Sequence, residues 1–185
     1  MSLNSKDDDL RSIPQILARN ARVHGDKPAY REKEFGIWQS WTWAQAAEEI
    51  EAMALGLLEL GVTSGDHVAI LGRNRPALYW SMVAVQMCGG VPVPMYQDAA
   101  AEEIAYALDH SGARFAIVGD QEQVDKIAEA KESASNPEYV IYLDGRGLRK
   151  YDHSAMCSVA DLTTKGRASG RRAELQAIID GLTYD

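Results

Sequence analysis

Apolar residues recur every three or four positions in several segments of the chain, which is the spacing of a helix with one buried face. The clearest segment is 42–60, in which an apolar stripe begins at Trp43. Thr42 followed by Gln45 forms a capping-box pattern, and Gly61 stands where a left-handed residue commonly ends a helix. Further helices are predicted at Ser12–Val23, Pro76–Cys88, Ala101–His110 and, after a second capping-box pattern, residues 120–131.

Short apolar runs alternate with these helices after residue 65. Most of the runs are apolar at consecutive positions, as expected of strands that are buried on both faces of a parallel sheet. Strand–helix–strand repetition predicts an α/β fold with a mostly parallel sheet flanked by helices. Pro92 and Pro94 cannot donate to a neighbouring strand, so the second run is predicted to be an edge strand or a short, irregular one. The four predicted strands are His67–Leu71, Val91–Met95, Arg114–Val118 and Tyr139–Leu143.

The two ends of the chain give weaker patterns. Residues 1–11 are predicted to be a disordered or expression-derived tail, and residues 12–185 to form one unit. A β-hairpin is predicted from Ala29–Lys33 and Ile37–Trp41. Residues 144–185 are predicted to be loop-rich, because the helical pattern after residue 159 is interrupted.

Composition narrows the class of protein. The chain has 185 residues, of which 46% are hydrophobic, so it can bury a core. Lys and Arg number 19 against 27 Asp and Glu, and a net charge of −8 argues against a nucleic-acid partner. Residues 76–97 carry no charge, but Gly89, Gly90, Pro92 and Pro94 interrupt them, so no transmembrane segment is predicted.

Cysteines and histidines give no sign of a metal or disulfide framework. Cys88 and Cys157 lie far apart without a CxxC pattern, which favours free thiols in a reducing, cytoplasmic location. The histidines are scattered, so no metal ligand is assigned. Cys88 lies in an uncharged helix and is predicted to be a buried, inert thiol.

Two segments have incomplete phosphate-binding patterns. Residues 65–76, GDHVAILGRNRP, place Gly72 after a strand and Pro76 at a helix start, but they lack the further glycines of a dinucleotide loop. We therefore predict a plain strand-to-helix turn there. Thr163–Gly170 has the composition of a phosphate loop, but no apolar strand precedes it, so an exposed linker is predicted. No catalytic residue is assigned from either pattern.

The order of the motifs is more specific than any single motif. Residues 12–161 contain, in order, WTW, LLELGV, GDHVAIL, NRP, GGVPVPMY and IAYALDHSGA. This series closely resembles the N-terminal part of the adenylate-forming enzymes, the AMP-binding acyl-CoA synthetase and ligase superfamily. Three segments are most similar to the long-chain fatty acyl-CoA synthetase branch: Asn74-Arg75-Pro76, Tyr96-Gln97-Asp98 and residues 120–126.

The resemblance implies a two-step reaction. A fatty carboxylate reacts with ATP to give acyl-AMP and pyrophosphate, and the thiol of coenzyme A then takes the acyl group. ATP, Mg²⁺ and coenzyme A are the implied cofactors, and the fatty acid is the implied substrate. Such an enzyme is compatible with peripheral membrane association.

The chain departs from the family at one motif. The family's phosphate loop is rich in Ser, Thr and Gly and closed by a lysine, and nothing here matches it. In the family that loop follows a segment like Leu182–Asp185. The resemblance therefore predicts an N-terminal fragment of an acid–thiol ligase that is inactive by itself. The alternative is a free-standing, flavodoxin-like α/β module that binds a small ligand or a protein.

One local site is implied by the resemblance. In some acyl-CoA synthetases the loop after the Val-x-Val-Pro run lies near the nucleotide of coenzyme A. In this chain the loop is Tyr96, Gln97 and Asp98. The alternative, which we favour, is a structural turn in which Asp98 caps the next helix.

Overall fold

Five parallel strands form the central sheet of the computed structural model, which describes residues 10–183. Residues 1–9 of the predicted tail lie outside the described residues. In chain order, the elements are α1 Ile13–His24, β1 Pro28–Glu34, β2 Ile37–Thr42, α2 Trp43–Glu59, β3 His67–Leu71, α3 Pro76–Met87, β4 Val91–Met95, α4 Ala101–Ser111, β5 Phe115–Val118, α5 Gln121–Ala130, β6 Tyr139–Tyr142, β7 Met156–Ser158, α6 Val159–Ala168 and α7 Arg172–Gly181.

The sheet has the order β4-β3-β5-β6-β7, which confirms the predicted α/β fold and its four parallel strands. β4 lies at an edge, as its prolines require. Counted along the chain, the parallel strands are arranged 2-1-3-4-5, which is the flavodoxin-like order. After β3 the chain forms β4 beside one edge of β3, and it then forms β5 beside the other edge of β3. The gap between β3 and β5 is therefore the topological switch point.

Both faces of the sheet are covered by helices, which explains the consecutive apolar residues in the strands. Val68 and Ile70 of β3 belong to a core shared with α1, α2, α3, α6 and α7. Ala69 and Leu71, which point to the opposite face, pack with α4 and α5. Successive residues of a strand face opposite sides, so a strand between two helical layers needs apolar side chains at every position.

The best-defined helix, α2, begins and ends as predicted. The Thr42 hydroxyl accepts the Gln45 N–H at 3.3 Å, and the Gln45 side chain accepts the Thr42 N–H at 3.0 Å. Beyond the C-terminal end, Gly61 has a φ of 90°, a conformation that favours glycine. The predicted hairpin is also confirmed, since β1 and β2 pair antiparallel as a separate two-stranded sheet.

The prediction that residues 144–185 are loop-rich is wrong, and so is the prediction of a linker at Thr163–Gly170. Strand β7 and helices α6 and α7 occupy much of this region. Helix α6 extends to Ala168, and its start is capped by the Ser158 hydroxyl, which accepts the Asp161 N–H at 3.0 Å. Leu162 and Gly166 are buried against α2. Tertiary contacts therefore stabilise a helix that the local sequence disfavours.

No helix within residues 10–183 combines the length and apolar character needed to cross a bilayer. The uncharged residues 76–97 contain α3 and the edge strand β4.

Candidate functional site

A crevice of about 440 Å³ opens where the carboxyl ends of β3, β5 and β6 meet. Its walls come from the three loops that follow those strands, from the starts of α3 and α6, and from Glu32 of β1 and Glu49 and Met53 of α2. Open α/β sheets bind ligands at this edge, at the strand pair where the chain switches direction. The lining includes Arg73, Arg75, Trp80, Gly119, Asp120, Asp144 and Arg146.

Two glycines hold the floor of the crevice together. Gly72 follows β3, and the N–H of Gly119, which follows β5, donates to the carbonyl of Leu71 at 2.9 Å. A Cβ on Gly72 would lie 3.1 Å from the Cα of Gly119, and a Cβ on Gly119 would lie 3.3 Å from the Cα of Gly72. The glycine noted in GDHVAILGRNRP is therefore needed for close approach of two loops. As predicted, the segment is a strand-to-helix turn with Pro76 as the first helical residue.

Ion pairs fix two of the arginines beside the crevice. The Nε of Arg75 lies 3.0 Å from the Glu32 carboxylate, and its Nη1 lies 3.6 Å from that of Glu34. Arg146 donates from Nε to the carboxylate of Asp144 at 2.7 Å. This hydrogen bond from the Arg146 side chain is the main cause that lowers the pKa of Asp144. Both arginines therefore have their charge compensated within the protein.

Arg73 and Trp80 have unused hydrogen-bond donors. Arg73 is exposed, and within residues 10–183 its guanidinium forms no ion pair. Trp80 is only 7% exposed, and its buried Nε1 has no hydrogen-bond partner among the described residues. A buried donor without a partner costs free energy. The crevice thus offers the unpaired cation of Arg73 to a ligand, in a lining that also contains Glu32, Glu49, Asp120 and Asp144.

Arg73 also lines a second cleft, of about 690 Å³, between the turn after β3 and the loop after β4. This cleft brings the predicted loop Tyr96, Gln97 and Asp98 together with Asn74 and Arg73. Tyr96 is 88% exposed, so its ring is free to stack on a ligand.

Lys126 anchors the Tyr96–Asp98 loop to α5. Its Nζ donates to the backbone carbonyl of Gln97 at 2.6 Å and lies 3.1 Å from the Glu122 carboxylate. The side-chain Oε1 of Gln97 is buried and has no partner within residues 10–183. The loop is therefore held in place while Tyr96 projects outward.

Asp98 does not cap the next helix, so that alternative is wrong. The N-cap of α4 is Ala100, whose N–H donates to the Glu103 carboxylate at 3.0 Å. A turn is present, because the N–H of Ala99 donates to the carbonyl of Tyr96 at 3.1 Å. Glu103 supplies the first-turn negative charge and the hydrogen bond that the sequence assigned to Asp98.

Cys88 and His67 line neither the crevice nor the second cleft. Burial raises the pKa of Cys88 to about 12, and its thiol donates to the carbonyl of Ala54 at 3.2 Å. The prediction of a buried, inert thiol agrees with this environment. His67 contacts the backbone carbonyl of Ser111 through Nδ1. Among residues 10–183, no three His, Cys, Asp or Glu side chains cluster closely enough to hold a metal ion.

Sequence reasoning missed most of the crevice. Asp144 and Arg146 fell in a region described only as loop, and Trp80 was one apolar position of a helix. The position of these residues in the sequence could have indicated the site. Residues directly after parallel strands such as β5 and β6 lie at the same carboxyl edge of the sheet as Gly72, where ligands bind. The pairing of Arg75 with the hairpin carboxylates depends on tertiary packing and has no local signal.

The model of the AMP-binding enzyme family matches residues 17–174 of this chain. Among curated relatives, the long-chain-fatty-acid–CoA ligase FadD15 of Mycobacterium tuberculosis is 29% identical over 160 residues, which cover 83% of this chain and 26% of the relative. The chain thus spans about a quarter of that relative's length.

A shorter relative and a solved structure are also similar to this chain. The protein named Uncharacterized protein Rv1549, from the same organism, is 30% identical over 131 residues, which cover 71% of each chain. The N-terminal domain of FACL13 from Mycobacterium tuberculosis superposes with a TM-score of 0.66 at 24% identity, over 86% of this chain and 36% of that one. This last likeness shows a shared fold.

Proposed function

Because the chain belongs to the family of AMP-binding enzymes, we propose that it is the N-terminal part of a fatty acid–CoA ligase. The observation that carries the proposal is the family match over residues 17–174, together with 29% identity to FadD15. The sheet order and the crevice at its switch point support the same conclusion, since this is where α/β enzymes bind their ligands.

The proposed enzyme is an acid–thiol ligase. An oxygen of the fatty carboxylate attacks the α-phosphorus of ATP, and the bond from that phosphorus to the bridging oxygen breaks. Acyl-AMP forms and pyrophosphate leaves. The sulfur of coenzyme A then attacks the acyl carbon, its proton is released, and AMP leaves with the electrons of the acyl–oxygen bond.

We assign the contacts to ATP and Mg²⁺ to another part of the enzyme. The only Ser/Thr/Gly/Lys-rich run here, Thr163–Gly170, is mostly helical, and the Thr163 and Thr164 hydroxyls donate to the carbonyl of Ala160 at 3.1 and 2.8 Å. A phosphate loop needs free N–H groups that converge on the ligand, and a helix interior uses them internally. Among residues 10–183, no three His, Cys, Asp or Glu side chains cluster closely enough to hold Mg²⁺.

The second cleft is the proposed contact with coenzyme A. Tyr96 offers an exposed ring on which an adenine can stack, and Arg73 offers a cation for a phosphate. Lys126 holds the backbone between them through the carbonyl of Gln97. Asp98 is exposed and does not cap α4, so its carboxylate is free to accept from a ligand hydroxyl or amine.

A second candidate function has its own support. The short relative Rv1549 aligns over 71% of both chains, so a protein of comparable length exists in the family. The strand order is that of flavodoxin-like modules, whose ligand site is the switch point. This chain would then be a free-standing small-ligand or protein-binding module that uses the crevice without catalysing ligation. For either function we propose a cytoplasmic location, which suits the two buried free thiols.

The deciding measurement is pyrophosphate release from ATP and Mg²⁺ that depends on added fatty acid. It is made on the 185-residue chain and on the full-length enzyme that contains this sequence. We expect release by the full-length enzyme only. A full-length enzyme that binds fatty acid and ATP but releases no pyrophosphate would contradict the ligase proposal.

A further inference from the structure

The hairpin formed by β1 and β2 has two chemically different faces. In the antiparallel register, Arg31 lies opposite Ser40 and Lys33 lies opposite Trp38. Because side chains alternate along a strand, these four share one face, and all four are exposed. Neither Arg31 nor Lys33 forms an ion pair within residues 10–183.

The other face of the hairpin is bound to the protein. Glu32 and Glu34 pair with Arg75 at the start of α3. Tyr30 and Trp41 meet the ring of Trp80 edge-on, with ring centres 5.7 and 5.3 Å apart. Both carboxylates therefore share the single positive charge of Arg75 on the inner face. The outer face keeps two free cations, although the whole chain carries a net charge of −8.

Large apolar side chains project from the tip of this hairpin. Phe35 is 86% exposed, Ile37 65% and Trp38 58%. Phe35 has a φ of 47°, in the left-handed region that bulky residues rarely adopt, and Gly36 follows with a φ of 82°. The Arg31 guanidinium lies 4.8 Å from the ring centre of Trp38. Clustered exposed apolar side chains in a stable monomer generally mark an interaction site.

We propose that this hairpin docks the protein on anionic phospholipid membranes. Phe35 at the turn and Trp38 on the outer face would enter the interfacial layer, where indole rings are favoured, while Arg31 and Lys33 contact lipid phosphates. Charge complementarity favours an anionic membrane as the partner, because the outer face combines unpaired cations with apolar groups and presents no carboxylate. The other cross-strand pairs place their carboxylates against Arg75.

The size of the patch favours a membrane over a protein partner. A specific protein interface covers about 800 Å² on each partner. Three side chains at a hairpin tip offer much less contact area than that. Membrane binding, in contrast, grows with each buried apolar group and each nearby cation. The proposal concerns partitioning only and does not depend on whether the chain catalyses ligation.

The test is co-sedimentation of the 185-residue chain with lipid vesicles. One set of vesicles is phosphatidylcholine alone, and the other contains phosphatidylglycerol as well. We expect binding to the anionic vesicles, little to the neutral ones, and weaker binding at high salt. A chain that stays in the supernatant with anionic vesicles at low salt overturns the proposal.

Paired variants locate the contact. Arg31→Gln with Lys33→Gln should lower the partition coefficient by on the order of tenfold. Phe35→Ser with Trp38→Ser should lower it at least as much. Arg149→Gln with Lys150→Gln removes two exposed cations elsewhere and should change binding little, as should Tyr106→Ser. Hairpin variants that sediment like the unmodified chain, with the same thermal unfolding midpoint, overturn the assignment.

A fluorescence measurement covers the case in which a hairpin variant folds poorly. Trp38→Phe keeps an aromatic ring at the tip and should still bind. Lipids with brominated acyl chains should quench the emission of the unmodified protein, and much less that of Trp38→Phe, because Trp80 is buried and Trp41 and Trp43 are partly buried. Equal quenching of both proteins would show that Trp38 does not enter the membrane.

Discussion

Gly166 of α6 lies directly against Gly56 of α2, where the two helices cross. A Cβ on Gly166 would lie 2.8 Å from the amide nitrogen of Gly56 and 1.9 Å from the carbonyl oxygen of Ala52. A Cβ on Gly56 would lie 2.4 Å from the carbonyl oxygen of Leu162. Both helices therefore approach through backbone atoms, which cannot move aside as a flexible side chain can.

Gly166→Ala should destabilise the protein by about 1–2 kcal/mol, because overpacking against backbone costs up to about 3 kcal/mol and the helix propensity of Ala returns about 1 kcal/mol. Denaturant unfolding measures the change. Gly181→Ala is the matched control, because Gly181 ends α7 and a Cβ there meets nothing within 4 Å. Equal midpoints for Gly166→Ala and Gly181→Ala would show that the helices separate at no cost.

This crossing also explains why α6 was not predicted. Gly166 and Gly170 weaken the local helical pattern, and the compensating contact comes from Gly56, far earlier in the chain. In contrast, α2 was predictable because its apolar stripe and its capping residues are all local. Strands β3, β5 and β6 were predictable for the same reason, since burial on both faces leaves a continuous apolar run, whereas the short strand β7 was not predicted.

The candidate site was predictable only in part. The Tyr96–Asp98 loop came from family resemblance, and the structure places it beside Arg73 in one cleft. The role of Asp98 was wrong because Glu103, one turn inside α4, takes the capping hydrogen bond. Both residues are local candidates for the same N–H group, and sequence alone does not choose between them.

Trp80→Ala should destabilise the protein by about 3–5 kcal/mol, because Trp80 is a buried ring that supports Tyr30 and Trp41 of the hairpin. Trp80→Phe should cost less than about 1.5 kcal/mol, since it keeps most of the ring and removes an N–H that has no partner within residues 10–183. Thermal unfolding compares the two. A Phe variant as unstable as the Ala variant would indicate that Nε1 is bonded after all.

The ionised Asp66 carboxylate should make the free energy of unfolding decrease at acidic pH. Burial alone would raise the pKa of Asp66, but hydrogen bonds from Thr63 and Arg114 outweigh it and hold the pKa below 3.8. The folded pKa is depressed, so the stabilisation is present above the unfolded pKa and is lost as pH falls through the folded value. Asp66→Asn should therefore cost on the order of 1 kcal/mol near neutral pH and little near pH 2.

Unfolding free energies measured across that pH range check this expectation. Asp26→Asn is the control, because Asp26 is exposed and forms no ion pair within residues 10–183. A constant difference between Asp66→Asn and the unmodified chain at every pH would show that the Asp66 charge contributes nothing.

Tyr96→Ala should weaken coenzyme A in the full-length enzyme. The expected result is a KM for coenzyme A raised about tenfold with kcat little changed, since loss of a stacking contact removes binding that is equal in ground and transition states. Stability should hardly change, because Tyr96 is exposed. Tyr106→Ala removes another exposed tyrosine, outside the cleft, and should leave the KM unaltered. Equal KM values for both variants would exclude the cleft as the coenzyme A contact.

The 185-residue chain alone should release no pyrophosphate from ATP and Mg²⁺ when a fatty acid is added. Adenylation requires donors arranged in advance around the α-phosphate, where charge develops. The N–H groups of the Thr163–Gly170 run are largely committed to α6, and Gly166 is locked against α2. The control is the full-length enzyme assayed beside the chain. Release by the chain well above a no-enzyme blank, and its loss on Lys165→Ala, would show that the C-terminal part of α6 reorganises into a phosphate site. That result would overturn the proposal that ATP and Mg²⁺ contact another part of the enzyme.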